Sequence, residues 1–323
     1  MSDAEFAFKL RQEFDGVDVD DSLSEPVGYG VFGDFALVGH NPIATNARCG
    51  TFSSWFGCVH TELHDHVSLD GVNYKGKAYV KPVFHSCDSP LCPICYYKGW
   101  AGREARKIEV RLAEGAKRFG LVEHIVATVP PKFYGLDYEA LRAKVVQILS
   151  DRGVIGGVLI FHGARFNLRQ CWYWSPHFHC LGFILNGYGK CRGCAKCVKG
   201  CGGFVDRSYR CFEKDGCVVK VLAERKTVGG TAWYQLNHST VKLGAKRFHV
   251  ATWFGVCSYR KLRVTVGMRK SVCPICGSDL VKLLYFGDKR FDLGKREFYD
   301  DAFDADGRPV WLVDMRSGVW NRE

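Results

Sequence analysis

The chain has 323 residues, with 45 lysines and arginines against 34 acids and a net charge of +11. No stretch approaches the 18 apolar residues of a membrane helix, and Met1-Ser2-Asp3-Ala4-Glu5 lacks the basic and apolar runs of a secretory signal. With 16 cysteines and enough length to bury its own core, the chain reads as a cytoplasmic metal-binding protein, not a membrane protein or a disulfide scaffold.

The charge is uneven. Residues 1–25 hold eight acids against two bases and residues 288–323 nine against seven, so residues 26–287 carry 36 bases and 17 acids. That excess is the footprint of a phosphate-binding surface, and 14% aromatics offer stacking surfaces for unpaired bases.

Residues 1–45 read as an acidic, loosely ordered arm. The segment 46–120 reads as a zinc-binding module followed by an amphipathic helix. Cys87, Cys92 and Cys95, spaced C-x4-C-P-I-C, need a fourth zinc ligand, for which Cys58 or His60 is favoured over His85. His64 and His66, in the polar stretch TELHDHVSLD, read as a surface or zinc-module feature. Ala101, Ala105, Ile108, Leu112, Ala116 and Phe119 then recur at helical spacing. The opposite face of that helix offers Arg103, Arg106, Lys107, Arg111 and Lys117 to phosphates or to water.

The segment 121–256 reads as the main core, with a cysteine-rich insertion at about 187–222. A strand over Leu121–Thr128 ends at Pro130-Pro131. Asp137 caps a helix over Tyr138–Ser150, strands follow at Val154–Phe161 and His177–Phe183, and a helix at 231–243 precedes a strand at Phe248–Gly255. This order predicts an α+β fold, an antiparallel sheet with helices packed on it.

On a strand, His177 and His179 point to one face and present two nitrogens to one cation. The pattern alone is weak, since 11 histidines in 323 positions give roughly 0.4 such pairs by chance, and a satisfied core pair explains it equally well. Val158, Ile160 and His162 also share a face, which makes His162 the candidate third ligand and Glu123 its competitor. Such imidazole-rich ligation suits Mn2+ or another transition ion better than Mg2+. In the later helix, capped by Thr231, the residues Tyr234, His238 and Lys242 fall at i, i+4 and i+8 on one stripe, although a Trp-Tyr pair in a short helix is usually core packing.

Cys191, Cys194, Cys197 and Cys201 form C-x2-C-x2-C-x3-C. A zinc site is preferred over a ferredoxin-type cluster, because Gly202 replaces the usual proline and no second run occurs. The segment 257–323 reads as a strand at Leu262–Val266, a zinc knuckle with Cys273 and Cys276, and a tail. The knuckle's missing ligands fall to Cys257 or to cysteines of the insertion. Cys49, Cys171 and Cys180 read as free buried thiols.

Four of these segments, in this order, resemble the HUH endonucleases, and among them the rolling-circle replication initiators of archaeal plasmids and viruses. SCDSPLCPICYYKGWAGREARKIEVRL (86–112) is similar to the cysteine module ahead of the catalytic core, and HIVATVP (124–130) to the first strand motif. SPHFHCLGF (175–183) resembles the His-hydrophobic-His motif, and TAWYQLNHS (231–239) the nucleophile helix. The likeness runs from about residue 56 to 280. It implies an RRM-like core in which His177, His179 and a third ligand hold Mn2+ or Mg2+, and in which Tyr234, with His238 beside it, attacks DNA. Lys242, Arg103, Arg106 and Lys107 would meet the DNA, and structural zinc would fill two or three sites. The implied partners are single-stranded or supercoiled origin DNA and, since the chain has no Walker-type loop, a host helicase and polymerase. The implied setting is the cytoplasm of a cell hosting a plasmid or virus.

The residue types suit that chemistry. A phenol with a reference pKa of about 10 needs a nearby positive centre and a polarised phosphate to act at neutral pH. The chain departs from initiators with two tyrosines, because His238 stands where the second would fall. An HUH-type transposase and a non-catalytic, zinc-stabilised nucleic-acid-binding regulator are the alternatives.

Overall fold

The computed structural model describes residues 30–39, 46–64, 75–166, 171–184, 211–212, 216–222, 227–245, 248–266, 271–287, 298–301, 305–306, 308 and 310–314. The arm up to residue 29, His66 and the run Cys191, Cys194, Cys197 and Cys201 lie outside them. In chain order the described elements are β1 (Val31–Phe32), β2 (Phe35–Leu37), β3 (Phe52–Gly57), β4 (Lys77–Phe84), α1 (Ala101–Phe119), β5 (Glu123–Thr128), α2 (Tyr138–Asp151), β6 (Val154–Phe166) and β7 (Trp172–Ile184). After these come β8 (Cys211–Phe212), β9 (Val218–Val221), α3 (Val228–Asn237), β10 (Thr240–Lys242), β11 (Ala251–Gly255), β12 (Val281–Tyr285), β13 (Phe298–Asp301) and β14 (Trp311–Val313).

All three sheets are antiparallel. The central one runs β11-β6-β7-β5-β9-β8, a second runs β13-β4-β3-β12-β14, and a small one joins β1, β2 and β10. Alternation along the central strands splits the core in two. Ile125, Leu159, Phe161, Phe178 and Cys180 face α2, while Val158, Ile160, Leu181 and Phe183 face α1 and α3. The helical spacing of Ala101, Ala105, Ile108 and Leu112 predicts the stripe that α1 lays on this second face. Full burial of a side chain such as Ile108 or Leu112 contributes roughly 1.5–3 kcal/mol. Asp137 caps α2 as expected, its carboxylate accepting from Ala140 N at 2.7 Å.

Several expectations change. β6 and β7 extend to Phe166 and back to Trp172, because they pair with each other almost throughout. Residues 31–37 are not a loose arm. They form a turn of β-structure against β10, and Ala36, Leu37 and Val38 are buried. Leu262–Val266 is not a strand, because Arg111 gathers this part of the chain from inside. Its guanidinium donates to the carbonyls of Cys257 and Leu262, and it stacks on Trp253 and Tyr259. Arg111, expected on the outer face of α1, is therefore 4% exposed and is unavailable to phosphate.

The helix of the Tyr234 stripe also shifts. Its cap is Thr227, whose hydroxyl accepts from Gly230 N at 2.9 Å, and Thr231 lies within the helix. At Gly229, in the first turn, a Cβ would stand 2.6 Å from the Glu109 carboxylate of α1, which would have to swing aside. The helix stops at Asn237 because side chains take its last carbonyls. Asn237 Nδ2 donates to Trp233 O, His238 Nδ1 to Tyr234 O and Ser239 Oγ to Leu236 O. The β-branched Thr240 and Val241 then pair with β2, which puts Lys242 on a strand opposite Phe35 and off the helical stripe.

Candidate metal centre

Three clusters of metal-ligating side chains occur among the described residues: His162, His177 and His179; Cys49, Cys87, Cys92 and Cys95; and Cys58, His64, Cys273 and Cys276. The first arises from register. His162 on β6 stands opposite His177 on β7, and Ile160 stands opposite His179, so three imidazoles continue the apolar stripe of Val158, Ile160, Leu181 and Phe183. One nitrogen from each lies within 4.8 Å of the others, and the rings are 5%, 3% and 1% exposed. Glu123, the competing third ligand, is opposite Gly182 on the other face of β5, out of phase with the histidines.

Each ring is oriented by its surroundings. His177 Nδ1 donates to the Ser175 carbonyl at 2.8 Å, which leaves Nε2 as the ligand atom. His179 Nδ1 lies 3.0 Å from Nε2 of His124, a residue absent from the sequence expectations as a ligand-positioning group. Gln235 Nε2, on α3, approaches the same His124 nitrogen at 3.5 Å. With His124 Nε2 accepting from His179 Nδ1, His179 turns its own Nε2 inward. His162 Nε2 is buried without a hydrogen-bond partner. An orphaned nitrogen of this kind costs about 1–3 kcal/mol, and a cation is the partner that three converging lone pairs fit.

Burial is the main reason all three imidazoles stay neutral. It pushes His177 and His179 well below the usual histidine range, helped by the charge of Arg165 beside the first and of the neighbouring histidines beside the second. His162 falls to about 3 through burial and the charge of His238. Neutral imidazole is the form that binds metal. The sign for stability follows: the unfolded chain takes up protons near pH 6.5 and the folded one only far lower, so stability is complete above that pH and is lost as pH falls towards about 3. Each such group withdraws about 1.4 kcal/mol per pH unit in that window. Denaturant melts between pH 7.5 and 5 should show a shallower pH slope for His162→Asn than for the natural chain, the cysteine clusters being common to both.

His124→Ala should lower manganese affinity about 10–100-fold without removing a ligand, because it frees the His179 ring to turn. Titration of the cation followed by electron paramagnetic resonance would measure this, and unchanged affinity would deny His124 that role.

The helix carrying Tyr234 flanks the cluster. Gln235 reaches His124, His238 bears on His162, and the Tyr234 and His238 rings lie 4.8 Å apart. His238 is the C-cap of α3. Of the remaining expected contacts, Arg103 is ion-paired with Asp88, Lys107 pairs with Glu104 at 2.7 Å, and Arg106 is exposed.

The cysteine clusters correct the expected ligand sets. Cys49, expected as a free thiol, joins Cys87, Cys92 and Cys95 in place of Cys58 or His60. β3 and β4 are antiparallel with Phe52 opposite Phe84, so the residues before β3 meet those after β4. Cys58 leaves the far end of β3, roughly 17 Å away at 3.3 Å per residue. There it joins Cys273 and Cys276, with Sγ 3.5 Å from that of Cys276, and His64 completes the set. His64 Nδ1 donates to Lys77 O at 2.7 Å, leaving Nε2 3.3 Å from Cys273 Sγ. Cys257, offered as a knuckle ligand, is instead buried beside Arg111, and His60 pairs with Glu62. Burial opposes ionisation in both clusters, yet hydrogen bonds led by Ser278 hold Cys276 down at about 6, and those led by Ser86 hold Cys95 at about 7. One sulfur in each set is thus poised as thiolate, and both sets are compatible with structural zinc.

No protein-family model, curated protein or solved structure matches the chain. No helix of the described residues is long and apolar enough to cross a membrane.

Proposed function

We propose that this chain is a rolling-circle DNA replication initiator that nicks and rejoins one strand through Tyr234. The observation that carries the reading is the convergence of three buried, neutral imidazoles, one with an orphaned nitrogen, beside the helix that bears Tyr234 and His238. The likeness of residues 124–130, 175–183 and 231–239 to the HUH motifs gives that arrangement its chemistry. His162, His177 and His179 would hold Mn2+ or Mg2+, which supplies Lewis-acid polarisation of the scissile phosphate.

The chain's own groups do the rest. His238 donates through Nδ1 to the Tyr234 carbonyl, so its Nε2 would be the nitrogen that takes the phenolic proton. The Tyr234 oxygen then forms a bond to phosphorus as the bond from phosphorus to the 3′ oxygen breaks. The 3′ oxygen leaves as a hydroxyl, taking up the proton that His238 removed from the phenol, and the 5′ side stays on the tyrosine as a phosphodiester. Because one ester replaces another, attack by a 3′-hydroxyl reverses the step, and the released 3′ end can prime synthesis. Zinc in the Cys49 and Cys58 clusters would hold the flanking module against this core.

Incubating the full chain with manganese and single-stranded origin DNA should give an adduct that survives a denaturing gel. His177→Ala with His179→Ala should lose the adduct while the chain stays folded. A protein that holds zinc and binds DNA but never forms an adduct would instead be the non-catalytic regulator.

A further inference from the structure

The three clusters differ in how they balance charge. The two cysteine sets can neutralise a divalent ion with thiolates, four in one and three in the other. The histidine set has no anion of its own. The side chains whose charges bear most on it are all basic: Arg165, His238 and His124. A divalent ion there would add two further positive charges in a buried place, and a buried charge needs a partner.

Arg165 marks where that partner would sit. Thr128 on β5 is opposite His177, on the histidine side of the sheet, and Arg165 Nη2 donates to Thr128 Oγ1 at 2.9 Å. The guanidinium therefore lies at the rim of the cluster. Its Nε is buried without a hydrogen-bond partner, like Nε2 of His162. Thr128 and Arg165 are only partly buried, whereas the three imidazoles are buried. Two unsatisfied nitrogens, one a lone pair and one an N–H, thus occur in one region, where the charged groups that bear on the imidazoles among the described residues are basic. A tetrahedral oxyanion with several oxygens can accept from an arginine fork and ligate a cation at once, which a carboxylate does less fully.

We infer that Arg165 and Thr128, with the metal-loaded histidine cluster, form a subsite for a phosphate diester. The identification of that diester as a DNA backbone phosphate rests on the proposed nicking function; the anion site itself does not.

Calorimetric titration of manganese-loaded full-length protein with dimethyl phosphate, and separately with inorganic phosphate, tests the subsite without any turnover. Both should bind, and metal-free protein should bind them at least tenfold more weakly. Arg165→Ala should weaken binding at least tenfold with manganese content unchanged, and Arg165→Lys, which keeps the charge but loses the fork, should fall between. Electron paramagnetic resonance of the manganese should respond to phosphate in the natural chain and not in Arg165→Ala. Binding by Arg165→Ala equal to that of the natural chain, no phosphate binding with manganese in place, or loss of manganese in both variants would each overturn the subsite. If phosphate binds as described but no DNA adduct ever forms, the subsite stands and the nicking reading falls. If the adduct forms at an unchanged rate in Arg165→Ala, nicking stands and the subsite falls.

Discussion

Under the proposed nicking reaction, Tyr234→Phe should remove the covalent protein–DNA adduct, by about 10³-fold or more, and leave DNA affinity within about threefold. The substitution deletes one oxygen and keeps the ring on His238, so the fold should lose less than about 1 kcal/mol. A labelled single-stranded oligonucleotide on a denaturing gel, with mass spectrometry of the linked peptide, reads the result. Persistence of the adduct on Tyr259, which is 71% exposed, or on Tyr173 would move the nucleophile and keep the reaction class. His238→Gln should slow adduct formation without moving it, since the ring is argued to take a proton and not to bond phosphorus.

Loss of one cluster ligand should cost the flanking sheet altogether. The five-stranded sheet has small cores, Tyr79 and Leu280 beside Cys58 and Cys273, and Ala78, Val80, Leu283 and Trp311 beyond. Cores of that size leave little margin. Structural zinc contributes about 10–16 kcal/mol in small modules, comparable to the whole stability of an ordinary domain. Cys273→Ser should therefore lower bound zinc by one ion per chain and expose Trp55 and Trp311, which pack edge to face with ring centroids 5.6 Å apart. Elemental analysis and tryptophan emission give the two readouts. Unchanged zinc content in Cys273→Ser would remove that cluster from the list of metal sites.

Much of the central sheet was legible because its signals are local. Alternation put Val158, Ile160 and His162 on one face, and Asp137 announced α2. The histidine cluster could be anticipated for the same reason: strand phase alone places His177 with His179, and excludes Glu123 once β5 is in phase with β7. The ligand partners of the cysteines were not legible from proximity along the chain. Cys49 and Cys58 are exchanged relative to expectation because pairing of β3 with β4 decides which end each reaches, and that register depends on contacts outside both strands. A hairpin drawn from β3 to β4 would have brought Cys49 to Cys87. Arg111 was misread for another reason. Periodicity places it on the polar side of α1, and only the turn at 257–262, with its inward carbonyls, makes a buried guanidinium affordable. Lys242 was lost from the helical stripe because the stop signal is a set of side chains at 237–239 that cap the last helical carbonyls, and not a glycine or proline.

The union of Cys58 and His64 with Cys273 and Cys276 has a consequence for biogenesis. β3 and β4 are made before the central sheet, yet the neighbour of β3, β12, begins at Val281, nearly 200 residues after Phe84. At about 5–20 residues per second, that wait is roughly 10–40 s. During it the half-made module exposes a strand edge and two unclaimed ligands, while β5, β6, β7 and α2 can already assemble between them. The histidine-bearing strands can therefore pair first, and the Cys58–His64–Cys273–Cys276 set is complete only once residues 273–276 have been made.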